Sequence, residues 1–193
     1  MSTTMEPTYL FLDTEWADVI GSELVSLALV SADGQHRFYA ERDPLPAKPT
    51  DFVSGVIYPL LERGSVALSD VAFTTALRTF LRGIANPFVL FDYANDGALL
   101  TYALAAFELT DVEAQSCGPI PPPVMTHMLR EGLMTMVLED WFEVNPAAQA
   151  RRHHAAVDAG ALRQAWLAVT GRIDASWSRT MMRAAHSDAH TAR

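Results

Sequence analysis

Two carboxylates, Asp13 and Glu15, close the run Tyr-Leu-Phe-Leu-Asp-Thr-Glu-Trp at residues 9–16. The run is otherwise apolar and rich in strand-forming residues, which predicts a β-strand. Strand alternation puts Tyr9, Phe11, Asp13 and Glu15 on one face and Leu10, Leu12 and Trp16 on the other. Carboxylates on a buried strand are costly to desolvate unless something neutralises them, and hard cations such as Mg²⁺ prefer carboxylate oxygens. The plainer alternative is a solvated strand end, with Asp13-Thr14 opening a turn. Two later stretches supply partners for a metal site: Asp92 and Asp96 in Phe-Asp-Tyr-Ala-Asn-Asp-Gly, and His153, His154 and Asp158 in Arg-Arg-His-His-Ala-Ala-Val-Asp. Taken singly, Asp96 can cap a helix, and His154 with Asp158 can form an exposed i,i+4 pair.

The elements that must position these residues alternate between strand and helix signals. Residues 23–30 read as a second strand, and Asp33-Gly34 turns the chain into a third at 35–40. Short loops between these three imply an antiparallel meander. Residues 51–62 carry apolar side chains at helical spacing, with Pro59 forcing a kink or an end. Ser69 is a good N-cap for a helix through Leu81, and Asn86-Pro87 stops it before a short strand at 87–91. Asp92 then sits at the strand end, and residues 98–107 read as helix. The prolines of residues 118–123 make a rigid connector. The Met-rich stretch 125–138 reads as helix, and Asn145-Pro146 opens a last helical stretch to Val169. Residues 1–8 read as an extension, 9–170 as one domain, and 171–193 as a polar tail. Strands first, then helices alternating with strands, make an α/β sheet with an antiparallel edge, whose ligands belong at strand ends and helix starts.

With 193 residues, half of them hydrophobic, the chain suits a single domain with a sizeable core. One cysteine, Cys117, excludes an intrachain disulfide. The first residues lack a basic segment followed by an apolar one, and no apolar run is long enough to span a bilayer, so the expected location is cytoplasmic. A formal charge of −9, with Lys48 the sole lysine, argues against tight non-specific binding along duplex nucleic acid. It leaves open an enzyme that grips only a chain end, and bound divalent ions offset part of that charge.

In their order along the chain the three stretches resemble the DEDDh 3′–5′ exonucleases of the ribonuclease H-like superfamily. That pattern has Asp-x-Glu on the first strand, an Asp at a mid-chain helix and His-x4-Asp near the end, matched by Asp13 and Glu15, Asp96, and His153 with Asp158. Asp92, closer to its strand, competes with Asp96 for the middle place. The surroundings resemble the ribonuclease AS-type exoribonucleases: Asp-Thr-Glu followed by Glu23-Leu24-Val25-Ser26, then Val56-Ile57-Tyr58-Pro59-Leu60, and His153 through Ala159. The resemblance implies a ribonuclease H-like mixed sheet flanked by helices, with three antiparallel strands followed by parallel ones. It implies two divalent ions, Mg²⁺ or Mn²⁺, bridged by Asp13, with Glu15 and Asp158 on one and Asp96 supporting the other. His153 is then the general base, and nucleoside 5′-monophosphates leave from the 3′ end of single-stranded RNA. Substrate contacts fall to Trp16, Glu23, Arg151 and Arg152, with core packing for Trp16 and a solvated face for the arginines as alternatives. A homodimer is a weaker implication. A DNA-directed exonuclease, a catalytically silent nucleic-acid- or protein-binding domain, and a nucleotide phosphohydrolase are the rival readings. Helical geometry alone favours His154, four residues before Asp158, since His153 lies about 140° from Asp158 around a continuous helix. The family spacing selects His153, which requires the helix to begin at or just after His154 and leaves His154 dispensable.

Overall fold

The apolar opening run forms β1 (Thr8–Trp16), the centre of a six-stranded mixed sheet in the computed structural model, which describes residues 6–122, 124–129 and 132–184. β1 pairs antiparallel with β2 (Leu24–Ser31), and β2 pairs antiparallel with β3 (Arg37–Arg42). The two-residue β4 (Ala67–Leu68) extends that edge in parallel. On the other side of β1, β5 (Pro87–Phe91) and β6 (Met125–Met128) both run parallel, giving the order β4-β3-β2-β1-β5-β6.

Helices cover both faces of this sheet. Helix α1 (Asp70–Arg82) starts where Ser69 Oγ accepts from the Ala72 N–H, and it turns Phe73, Leu77 and Leu81 inward. With Leu99, Leu100 and Ala103 of α2 (Ala94–Leu104), these side chains bury Leu10, Leu12, Leu27 and Leu29. The opposite face, with Phe11, Val30 and Leu90, lies under Ala155, Ala159 and Leu162 of α6 (Ala155–Val169). Trp166 of α6 packs on Tyr9 and Phe11 with ring centroids 5.0 and 5.3 Å apart. Because β2 is covered on both sides, all eight of its residues are buried, and its sequence is a near-continuous apolar run. Buried Arg78 joins α1 to its neighbours by donating to the carbonyls of Leu104 at the end of α2, of Ala114 in α3 (Asp111–Ser116) and of Gly118.

Several elements depart from the sequence reading. Residues 51–62 form a wide π-turn (Val53–Ile57) where helical spacing predicts an α-helix, and it gives way to a 3-10 turn (Tyr58–Leu60) at Pro59, where a kink or an end is expected. Helix α2 begins at Ala94, not near residue 98, which places Asp96 inside its first turn. The expected helix over 125–138 divides into β6 and, beyond Gly132, α4 (Leu133–Val144). A short apolar run fits either element, and the free sheet edge beside β5 decides for a strand. The last helical stretch breaks after α5 (Pro146–Gln149), and the chain turns through a left-handed His153 before α6 begins. Residues expected in a tail pack instead: Ile173, Trp177 and Met181 lie against Val137, Ala165 and Ala168. Asp140 fixes that segment by accepting from Ser178 Oγ at 2.7 Å and the Thr180 N–H at 2.8 Å. Residues 1–5, Pro123 of the connector, 130–131 of the expected helix, and 185–193 of the tail lie outside the described residues. Among the described residues no helix is long and apolar enough to cross a membrane.

Candidate active site

The parallel pairing of β1 with β5 runs from Thr8 opposite Pro87 to Phe11 opposite Leu90. β5 ends at Phe91, whereas β1 continues to Trp16, so the last part of β1 is left with an open edge. Continuing the register one for one sets Asp13 beside Asp92. The first turn of α2 folds over the gap, and Asp96 Oδ1 accepts from the Thr14 N–H at 3.1 Å and from Thr14 Oγ1 at 2.7 Å. From the other face, the loop before α6 brings His153, whose backbone N–H donates to Asp158 Oδ2 at 3.0 Å. Three segments distant in sequence thus meet at one sheet crevice, the place where open α/β sheets bind ligands.

The ligand atoms of Asp13, Asp92 and Asp96 lie within 4.8 Å of one another, and so do those of Glu15, His153 and Asp158. Asp13, a member of the first group, also feels the charges of Glu15 and Asp158 in the second, besides those of Asp96 and Asp92. Burial, followed by this mutual repulsion, holds the Asp13 carboxyl well above its ordinary range. Burial likewise raises Glu15 to about 8, with Asp158 and Asp96 adding to the push. Asp96 and Asp158 rise to about 7, mainly through burial, although hydrogen bonds from Thr14 and from the His153 N–H act against the rise. Asp92 is also raised by burial of its carboxyl, although the residue as a whole is exposed.

Asp13 Oδ2, Asp96 Oδ2 and Asp158 Oδ1 are buried without a hydrogen-bond partner among the described residues. Buried polar atoms in proteins are normally satisfied, so three carboxylate oxygens orphaned in one cluster fit a ligand that supplies positive charge. All the oxygen donors are hard, which suits Mg²⁺ or Mn²⁺ better than a thiophilic ion. The residues present therefore could hold divalent metal ions.

Both Asp92 and Asp96 belong to the cluster. Asp96 is 1% exposed and anchored through Thr14, while Asp92 lies at the outer rim. The two histidines differ more sharply. His153 sits at the cluster with its ring edge-on to Phe52, centroids 5.1 Å apart. Burial and neighbouring Arg152 hold its pKa below the usual value, leaving the ring neutral near pH 7. His154 points elsewhere, stacked on Tyr39.

The expected substrate contacts are more dispersed. Trp16 is half-buried and stacks on Tyr93, centroids 5.4 Å apart at 21°. Glu23 is exposed on a cavity of about 540 Å³ that it lines with Arg42, Tyr102 and Glu108. Arg152 holds Glu139 through two hydrogen bonds of 2.8 and 2.5 Å and lies over the Phe142 ring. Arg151 reaches Glu62 at 3.2 Å. Sequence reasoning missed Phe52, Thr14 and Tyr93 at the site. Tyr93 beside Asp92 and Thr14 between Asp13 and Glu15 stand in plain sight, but nothing local marks Phe52. No protein-family model matches the chain, and no curated protein matches it.

Proposed function

We propose that this protein is a metal-dependent 3′–5′ exonuclease of the ribonuclease H-like DEDDh type, trimming single-stranded RNA to nucleoside 5′-monophosphates. The observation that carries the reading is the meeting of Asp13, Glu15, Asp96, Asp158 and His153, from three separate segments, around buried oxygens with no hydrogen-bond partner. The mixed sheet, antiparallel over its first three strands and parallel beyond, is compatible with a ribonuclease H-like fold.

Asp13, Glu15, Asp96 and Asp158 would hold two divalent ions, which when bound lend Lewis-acid stabilisation to the phosphoryl oxygens of an in-line displacement. Neutral His153 accepts the proton of the attacking water. A new oxygen–phosphorus bond forms as the bond to the penultimate 3′-oxygen breaks, and the released nucleotide keeps its 5′-phosphate. The Trp16–Tyr93 pair offers a face for a terminal base, a contact worth about 1–3 kcal/mol in single-strand binders. The choice of RNA over DNA, and a homodimer, follow from the resemblance and complete the proposal.

Incubation with 5′-labelled single-stranded RNA and DNA of equal sequence, with and without Mn²⁺, tests it. A ladder shortening from the 3′ end, faster on RNA, is expected in Mn²⁺. Faster trimming of DNA reassigns the substrate, and RNA and DNA that both stay full length in Mn²⁺ remove the enzymatic reading.

A further inference from the structure

His154 is 2% exposed, yet neither of its ring nitrogens has a hydrogen-bond partner among the described residues. Its ring lies almost flat on Tyr39, with centroids 4.7 Å apart and planes at 25°. Tyr39 is itself fixed, because its hydroxyl donates to Glu41 Oε1 at 2.7 Å. Glu41 is fully buried and also accepts from the backbone N–H groups of Glu62 and Arg63, at 2.7 and 3.0 Å. Glu62 Oε1 closes the circuit, 3.2 Å from Arg151 Nη2 and 3.5 Å from His154 Nε2. Strand β3, the segment at 62–63 and the loop at 151–154 are thereby joined around one imidazole.

What this joint holds is an unfavourable backbone. His153 has φ +72°, a left-handed conformation that an L-residue rarely adopts. Such residues persist where their surroundings over-determine them. The next carbonyl along, that of His154, accepts from the N–H groups of Val157 and Asp158 at 2.8 and 3.1 Å, the first bonds of α6. Fixing the His154 ring therefore fixes both the origin of the helix that carries Asp158 and the direction in which His153 leaves the loop.

We infer that His154 is a positioning residue: its stack on Tyr39 locks the loop so that His153 stays at the acidic cluster. This rests on the reading of His153 as the general base. It revises the expectation that His154 is dispensable. Among the described residues neither nitrogen makes a hydrogen bond and Glu62 Oε1 comes only to 3.5 Å of Nε2, so the flat aromatic shape carries the effect, and phenylalanine is the conservative replacement.

The test compares His154→Leu, which keeps bulk without an aromatic face, with His154→Phe in the full chain. Turnover of 5′-labelled RNA in Mn²⁺ and the nuclear Overhauser contact between the His153 and Phe52 rings are both read. Misplacing a catalytic group by about 1 Å costs up to roughly 100-fold. His154→Leu is accordingly expected to lower kcat roughly 10- to 100-fold with KM within about twofold, and to lose the ring contact. His154→Phe should stay within about threefold in kcat and keep the contact. A His154→Leu protein that retains both the parent's kcat and the contact overturns the inference, as does a His154→Phe protein as impaired as His154→Leu. If the parent hydrolyses no RNA, the exonuclease reading fails, and the ring contact alone then decides the positioning role.

Discussion

Asp13 is surrounded by four other carboxylates, and that crowding sets opposite demands on stability and activity. In Asp13→Asn the most central charge is removed and the shape is kept. Turnover should fall to background, while the metal-free protein should melt higher than the parent at pH 8, because repulsion is relieved. A variant that keeps near-parental turnover removes the residue on which the mechanism turns. For His153→Ala, loss of a general base should lower kcat by roughly 10²–10⁴ and leave Mn²⁺ affinity, carried by carboxylates, little changed. Calorimetric titration with Mn²⁺ beside single-turnover kinetics separates the two effects. Equal losses in metal affinity and rate would mark His153 as a ligand instead of a base.

The loop joining β1 to β2 shows how an element without regular structure is held beside the site. Gly21 has φ +74°, and a Cβ there would lie 1.6 Å from Asn95 Nδ2, the atom that donates to the Ile20 and Gly21 carbonyls. Gly21→Ala should therefore cost at least about 1–2 kcal/mol, readable as a lowered urea midpoint. An unchanged midpoint would mean that the loop yields freely. Elements of this size were unequally legible in the sequence. Periodicity and capping located β1, β2, α1 and β5 closely, because Ser69, Asp33-Gly34 and Asn86-Pro87 punctuate them unambiguously. The run at 125–138 reads as one helix because Met125 to Met128 fit either period, and only pairing with β5 settles β6. Likewise the carboxylates could be named from residue type and spacing, and His153 only through the family spacing, since helical geometry alone favours His154. Phe52 and Tyr39 could not, because their partners lie about a hundred positions away and no local pattern records such contacts.

For the whole molecule, the raised carboxyls make metal-free stability depend on pH in a direction unusual for acidic proteins. Glu15 at about 8, and Asp96 and Asp158 at about 7, lie above their unfolded values near 4. The folded state then binds protons more tightly than the unfolded chain, so this stabilisation is full below about pH 4 and is lost as pH rises through 7–8. Carboxylates with depressed values, such as Glu139 paired with Arg152 and Asp140 bonded by Ser178, act in the opposite sense and lose their contribution in acid. In chelator the melting temperature should therefore be highest in mildly acidic buffer and fall towards pH 8.5, with each kcal/mol worth about 2–4 °C at this chain length. Saturating Mn²⁺ should restore more at pH 8.5 than at pH 5.5, since only deprotonated carboxylates bind it. A chelated protein whose melting temperature rises steadily from pH 5.5 to 8.5 contradicts this assignment of the cluster.

The most direct measurement identifies the first product released from single-stranded RNA labelled in its 3′-terminal nucleotide. In Mg²⁺ or Mn²⁺ the label should leave as a nucleoside 5′-monophosphate, and in excess chelator it should stay on the polymer. Release as a 3′-monophosphate or an internal fragment, or undiminished release in chelator, would contradict a metal-dependent 3′–5′ exonuclease.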